Sequence, residues 1–446
     1  MSIEELYGLW KASKGVNTDS RTILPGQIFV ALKGDNFDGN AYALKALEAG
    51  ASYAIVSDCK EADDRLIRVD DTLQALKELA AYHRSRLQIP VIGLTGTNGK
   101  TTTKELIREV LGTAFRVYAT QGNLNNDIGV PLTVLSIGED AEIAVVEMGA
   151  NHPEDIAALT WVSQPSYGLI TNVGKAHLEG FGSFDGVKRA KGRLYDWLSE
   201  HDGQAFVNVD SSDLYEMACS RPLSIIPYGV ESEDVRVLEA SAAEPYLRMV
   251  VEGRLLETRL VGAYNATNVM AAITVGRYFG VSLADALDAI AAYQPSMNRS
   301  QLVRTVTNTI IEDAYNANPS SMAVALDNLA AMSGPRAALL GEMRELGADS
   351  VAEHAAVLKR LSGMGLDCVC LVGEQFRLAA EACKDCSGAS RADACSTDAP
   401  TATQPPLLFD TSDALAAWLA QHPVTGCTVL VKGSRGTRME KVLPAL

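Results

Sequence analysis

The stretch Ile89-Pro-Val-Ile-Gly-Leu-Thr-Gly-Thr-Asn-Gly-Lys-Thr-Thr-Thr103 decides how the rest of the chain is read. Ile89 to Leu94 is an apolar run of strand length. A turn with Gly96 and Gly99 follows, then Lys100 and a helical pattern through Leu111. A phosphate chain needs this arrangement. Glycines let backbone N–H groups approach the oxygens, a helix N-terminus adds partial positive charge, and Lys100 adds a full one. The Thr101 hydroxyl stands where such loops ligate magnesium. The general P-loop pattern has a glycine where this chain has Leu94, and Gly93 comes one place too early. The competing reading is a glycine-rich βα turn with a solvated lysine. Gly, Lys and the paired Thr, in register between strand and helix, favour the phosphate loop.

Composition bounds the rest. A chain of 446 residues forms roughly two to four domains. Its 47% apolar content is that of a globular protein with real cores. No apolar run reaches the length of a membrane span. The start, Met-Ser-Ile-Glu-Glu, is acidic and unlike a secretory leader, so a cytoplasmic protein is expected. A net charge of −16 argues against a bare nucleic-acid or anionic-membrane binder. Five of the eight cysteines (Cys368, Cys370, Cys383, Cys386, Cys395) fall in one region. Cys383-Lys-Asp-Cys386 has metal-like spacing, but no second pair or nearby His pair completes a zinc site. Reduced thiols are the expectation.

Patterning divides the chain into 1–86, 87–296 and 297–446. In the first unit Ile28–Leu32, Ser52–Val56 and Leu66–Val69 read as strands. Asn40–Ala49, closed by Gly50, and Thr72–Leu87 read as helices. Asp19-Ser20-Arg21 by itself reads as a turn with a surface ion pair. The second unit carries the glycine turn and then Gly122-Asn123-Leu-Asn125-Asn126, either a solvated loop or one that hydrogen-bonds a polar ligand. Ile143–Val146 is a buried-type strand ending in Glu147, and Tyr167–Val173 is another, with His177 just beyond. Groups at the C-terminal ends of parallel strands are where α/β enzymes bind ligands, so Glu147 and His177 are metal-ligand candidates. A helix over Val187–Leu198 carries Lys191 between Ala190 and Gly192, small residues that allow close approach. Val235–Gly262 alternates apolar and polar, as a small antiparallel sheet does. Asn265 suits an N-cap, and Asn268, one turn on, could face a nucleotide. The third unit alternates strands and helices from Ile310 onward, implying a second parallel sheet. Residues 384–405 read as a loop insertion. Lys432-Gly-Ser-Arg435 reads either as an anion-holding turn or as a solvated tail.

Taken in order, these pieces resemble the Mur ligases of peptidoglycan synthesis. The carriers are Asp19-Ser-Arg21, Gly96-Thr-Asn-Gly-Lys-Thr101, Gly122-Asn-Leu-Asn-Asn126, Glu147-Met-Gly-Ala, Thr171-Asn-Val-Gly with His177, Ala190-Lys-Gly192, Tyr264-Asn-Ala-Thr-Asn268, Asp313-Ala-Tyr-Asn-Ala-Asn-Pro319 and Lys432-Gly-Ser-Arg435. The resemblance implies three α/β domains: a small N-terminal one for the UDP end of a substrate, a central P-loop parallel-sheet ATPase domain with a small antiparallel sheet, and a C-terminal Rossmann-like domain. It implies an ATP-dependent ligase adding D-alanyl-D-alanine to UDP-N-acetylmuramoyl-tripeptide through an acyl phosphate.

By the same resemblance Thr95, Gly96, Thr97, Asn98, Gly99, Lys100, Thr101 and Thr102 cradle ATP. Asn268, Arg299 and Asp313 would complete its site, although Asn298 stands before Arg299 where a glycine is expected. Thr101, Glu147, His177 and Lys191 would hold two Mg2+ ions, with Lys191 carbamylated. Lys100, Glu147, His177 and Lys191 are the expected catalytic set. Asp19, Ser20, Arg21, Asn123, Asn125, Asn126, Asn316 and Asn318 are expected at the substrates or the domain seam. A monomer is expected. The alternatives are a third-residue-adding Mur ligase, whose Asp-Asn-Pro-Arg motif is absent; a folylpolyglutamate synthase-like ligase, which lacks the UDP-type first domain; and a non-catalytic nucleotide-binding partner protein.

Overall fold

A computed structural model describes residues 1–34, 37–239, 241, 244–295, 301–382, 390–391 and 406–446. Three α/β domains follow one another. The first holds a four-stranded parallel sheet ordered Val16–Asn17, Ile28–Val30, Tyr53–Val56, Leu66–Arg68. The second holds a six-stranded parallel sheet ordered Ser224–Tyr228, Gln204–Asn208, Tyr167–Ile170, Val91–Thr95, Ile143–Glu147, Val117–Ala119. A three-stranded antiparallel sheet, Val235–Val237, Tyr246–Val251 and Arg254–Val261, is attached to it. The third holds a seven-stranded sheet that is parallel except for its edge strand Gln301–Arg304.

The glycine-turn strand Val91–Thr95 lies inside the central sheet, and all five of its residues are buried. That explains its unbroken apolar run: a strand covered on both faces has no polar side. Its helix, Lys100–Gly112, packs against Asn265–Tyr278 and Leu283–Ala292. Gly276 makes the first of these contacts close, because a Cβ there would stand 2.3 Å from Val110 Cγ1.

The first domain is joined to the second through one continuous apolar core, with Leu6, Trp10, Ile55 and Leu76 in the same cluster as Val130, Val134, Ile156 and Leu159. The helix Thr72–Arg86, capped by Asp71, lies against Gly129–Leu135 and Asp155–Ser163 of the second domain. Its buried Arg84 donates to three carbonyls, those of Ser163 (3.0 Å), Leu87 (3.0 Å) and Gln164 (3.0 Å).

Several expectations need correction. The helix expected over Asn40–Ala49 starts as a 3-10 turn, Gly39–Tyr42, and is helical only over Ala43–Glu48. Asn40 is diverted: its Oδ1 accepts from the N–H groups of Ser57 (2.9 Å) and Asp58 (3.2 Å), tying the turn to the next strand. Asn265 is not an N-cap. It lies inside the helix and donates to the Val261 carbonyl (2.9 Å). Lys432 and Ser434 are buried, so the stretch they begin is not a solvated tail. Arg299 and the cysteines 383, 386 and 395 lie outside the described residues.

Arg84→Ala strips donors from buried carbonyls and should cost about 3 kcal/mol. A lowered midpoint in urea denaturation is the expected reading; an unchanged midpoint would show that the seam holds without it.

Candidate active site

Two glycines shape the turn. Gly96 has φ +152, and a Cβ there would stand 1.9 Å from Thr171 Oγ1. Gly99, with φ +77, immediately precedes the helix, and a Cβ on it would stand 2.9 Å from Asn268 Oδ1. Only glycine allows both the backbone shape and the close approach. The next strand's end clamps the turn. Asn172 Oδ1 accepts from Asn98 N (2.9 Å), its Nδ2 donates to Asn98 O (3.0 Å), and Thr171 Oγ1 donates to the same carbonyl (2.6 Å). Asn172 was not singled out in the sequence; its signal was its place in Thr171-Asn-Val-Gly, just past a strand. Lys100 Nζ folds back on the carbonyls of Gly96 (2.9 Å) and Thr97 (3.2 Å).

Strand register brings the carboxylate to the turn. Leu94 pairs with Glu147 in the neighbouring parallel strand. Glu147 is 1% exposed; its Oε1 accepts from Thr101 Oγ1 (3.2 Å) and Asn125 Nδ2 (2.8 Å). Its Oε2 is buried with no hydrogen-bond partner among the described residues. A buried carboxylate oxygen left bare is costly, and it is what a cation ligand looks like.

Lys191 and His177 line the same cavity, which has a volume of about 560 Å³. Lys191 is 2% exposed, its Nζ lies 5.8 Å from the Phe181 ring centroid, and no carboxylate pairs with it among the described residues. Burial, reinforced by the Lys100 charge and opposed by Asp155, holds its amine well below the usual lysine range. His177 lies just after Ala176 with φ +50, its Nδ1 against the Glu345 carboxylate. Burial lowers the imidazole's pKa; Glu345 opposes that, and Lys100 and Lys191 add to it. A neutral imidazole keeps a lone pair for a metal.

The third domain supplies the facing wall. Asp313 ends its strand and accepts from Lys432 Nζ (2.6 Å); Asn316, Asn318 and Tyr315 line the cavity beyond it. Asn318 caps the helix Pro319–Ala331 and donates from Nδ2 to Asn98 Oδ1 (2.8 Å), reaching the glycine turn itself. Lys175 is held twice, by Ser320 Oγ (3.0 Å) and Glu353 Oε1 (2.7 Å). Asn268 lines the cavity beside Gly99; its Oδ1 accepts from Thr103 Oγ1 (3.0 Å) and its Nδ2 donates to Asn265 Oδ1 (2.9 Å). Asn123 lines the cavity as well.

Other candidates lie apart. Thr95 is fully buried at the strand end, whereas Thr102 reaches the cavity. Asn126 Oδ1 accepts from Gly129 N (2.8 Å), so it starts a helix instead of facing the cavity. Asp19, Ser20 and Arg21 are outside this cavity: Arg21 forks onto Asp19 (Nε 2.9 Å, Nη2 2.7 Å), which lowers the carboxyl's pKa to about 2. That is the surface ion pair the tripeptide suggested by itself.

Fold and site together define a three-domain α/β protein of the P-loop class, with a cavity lined by residues of its second and third domains. The chain matches the family models described as Mur ligase family, catalytic domain (residues 13–84), Mur ligase middle domain (94–276) and Mur ligase, glutamate ligase domain (298–435). The UDP-N-acetylmuramoyl-tripeptide–D-alanyl-D-alanine ligase of Escherichia coli strain K12 is 35% identical, over 99% of this chain and 95% of that one. MurF from Acinetobacter baumannii superposes with a TM-score of 0.84 at 29% identity, covering 99% of this chain and 98% of that one. The Thermotoga maritima MurF ligase in complex with ADP gives 0.82 at 27%, covering 97% of each. The chain belongs to the Mur ligase family.

Gly96→Ala should weaken ATP binding by more than about tenfold, because the added methyl displaces Thr171 and the turn. Calorimetric titration with a non-hydrolysable ATP analogue checks this; unaltered affinity would mean that the turn does not hold phosphate.

Proposed function

We propose that the chain joins D-alanyl-D-alanine to the terminal carboxylate of UDP-N-acetylmuramoyl-tripeptide, converting ATP to ADP and phosphate. The observation that carries this reading is the convergence of Lys100, Glu147, His177 and Lys191 on one cavity, with Thr101 hydrogen-bonded to Glu147 behind it. Asp313 and Asn318 close that cavity from the third domain. Sequence identity to named ligases of this activity, over nearly the whole chain, supports it.

The substrate carboxylate attacks the γ-phosphorus of ATP, the bond to the β–γ bridging oxygen breaks, and ADP leaves. The dipeptide amine then attacks the acyl carbon, loses a proton, and phosphate departs from the tetrahedral intermediate. In such chemistry the protein mainly positions groups and neutralises charge. The turn from Gly96 to Thr102, with Lys100, receives the phosphates above the buried Thr95, and Asn268, Arg299 and Asp313 bind the rest of ATP. Asp19, Ser20 and Arg21 receive the UDP end of the substrate, with the first domain divided from the second near residue 86 and the second from the third near 296. Asn123 and Asn125 face the substrate, and Asn316 and Asn318 face the dipeptide or the seam.

Magnesium fits the donors present. The bare Glu147 Oε2 and the His177 imidazole, whose charged form burial disfavours, suit it, with Thr101 beside the first and Lys191 beside the second. Two ions, when bound, supply charge neutralisation for the phosphates. Lys191 suits them only if its sign changes. Its unprotonated amine adds carbon dioxide, forming an N–C bond and releasing a proton. The Lys100 cation that opposes a Lys191 ammonium then favours the carbamate anion. The protein works as a cytoplasmic monomer.

Phosphate release from ATP should require both UDP-N-acetylmuramoyl-tripeptide and D-alanyl-D-alanine; no stimulation by the dipeptide would end this reading. Lys191→Ala should lose roughly a hundredfold or more in kcat, with partial recovery on adding short carboxylates. A fully active variant would remove the carbamate.

A further inference from the structure

The incoming dipeptide carries a carboxylate at the end opposite its attacking amine, and the cavity needs a cation to receive it. Lys100 and Lys191 stand with the phosphate and metal ligands. Lys432 is 1% exposed and committed to Asp313 (2.6 Å) and the Asn316 carbonyl (3.1 Å). One further cation stands beside the third-domain wall. The Arg435 guanidinium lies 5.4 Å from the ring centroid of Tyr315, a residue of that wall. Arg435 is exposed, and no carboxylate pairs with it among the described residues.

The fold holds this cation in place. Thr309–Asp313, Thr428–Lys432 and Arg336–Gly341 are adjacent parallel strands, so the loops after them leave the sheet at one edge. Such an edge is where open α/β sheets bind ligands. Buried Ser434 ties the three loops together: its Oγ donates to the Ala317 carbonyl (3.3 Å) and accepts from Arg344 N (3.0 Å). Arg344 lies across Gly436, where a Cβ would stand 2.2 Å from its Nη1, and its Nε faces Glu342 at 3.7 Å. In a chain of net charge −16, Arg435 thus stands with no carboxylate partner among the described residues, over the ring of Tyr315, a residue that lines the cavity.

We propose that Arg435, held over Tyr315, binds the C-terminal carboxylate of the incoming dipeptide and so selects a dipeptide acid over a blocked peptide. This rests on the ligase reading above. An arginine fork matches a carboxylate in two parallel hydrogen bonds, which a lysine cannot reproduce.

The test compares D-alanyl-D-alanine with its C-terminal amide as acceptor. In the wild type the amide should show a KM higher by roughly 10- to 100-fold. Arg435→Ala should raise the KM of the acid by a similar factor, leave that of the amide unchanged, and leave the KM values of ATP and the UDP-tripeptide unchanged. Arg435→Lys should recover part of the loss. Equal losses on acid and amide would overturn the assignment, as would a change confined to the ATP or UDP-tripeptide KM. A wild type that neither acceptor stimulates would instead refute the ligase reading, so the two failures are distinct.

Discussion

The register of three parallel strands is the constraint on which this molecule depends. Leu94 pairs with Glu147 on one side and Thr95 with Ile170 on the other. That alignment puts Glu147 level with Thr101 and sets Thr171 and Asn172 against the glycine turn. In a parallel sheet all strands end on one side, so residues some fifty to eighty positions apart reach one edge without special loops. A register slip of one residue in either neighbour would turn the aligned side chain to the other face.

Against that scaffold stand groups that weaken the fold. Lys191 is buried without a carboxylate, and the Glu147 Oε2 and Thr95 Oγ1 atoms are buried without hydrogen-bond partners among the described residues. Each costs stability when left bare. Of these, Glu147 and Lys191 line the cavity, whereas Thr95 lies at the end of the strand beneath the glycine turn.

The two domain seams differ in kind. The first domain shares an apolar core with the second and adds the three carbonyl bonds of Arg84. Between the second domain and the third, Val261 joins the apolar cluster of Ile311, Met322 and Leu326, but the contacts around the cavity are polar: Asn98 with Asn318, Lys175 with Glu353, and His177 with Glu345. Exposed polar contacts of this type contribute little each and are inexpensive to break. The part of that seam that lines the cavity is therefore held by the weaker contacts.

The sequence by itself determined the strand–turn–helix at Gly96 to Thr101, the strand-end position of Glu147 and the βαβ alternation of the third domain; the strand read over Tyr167–Val173 ends at Ile170, so His177 sits before the short helix Leu178–Phe181 and not at a strand end. These are local signals: strand burial shows in apolar runs, and special backbone shapes show in glycines. It left open whether Lys432 to Arg435 was an anion site or a tail, it suggested an N-cap for Asn265, and it left Asn172 and the charge on Lys191 unread. Tertiary structure decided those, because they depend on which strand lies beside which. Lys432 is buried only because its strand pairs with the one ending in Asp313, and the Lys191 amine is pushed well below the usual lysine range by burial and by the Lys100 charge. Hydrogen-bond partners, burial and neighbouring charge are properties of packing, and packing joins residues that the sequence holds far apart.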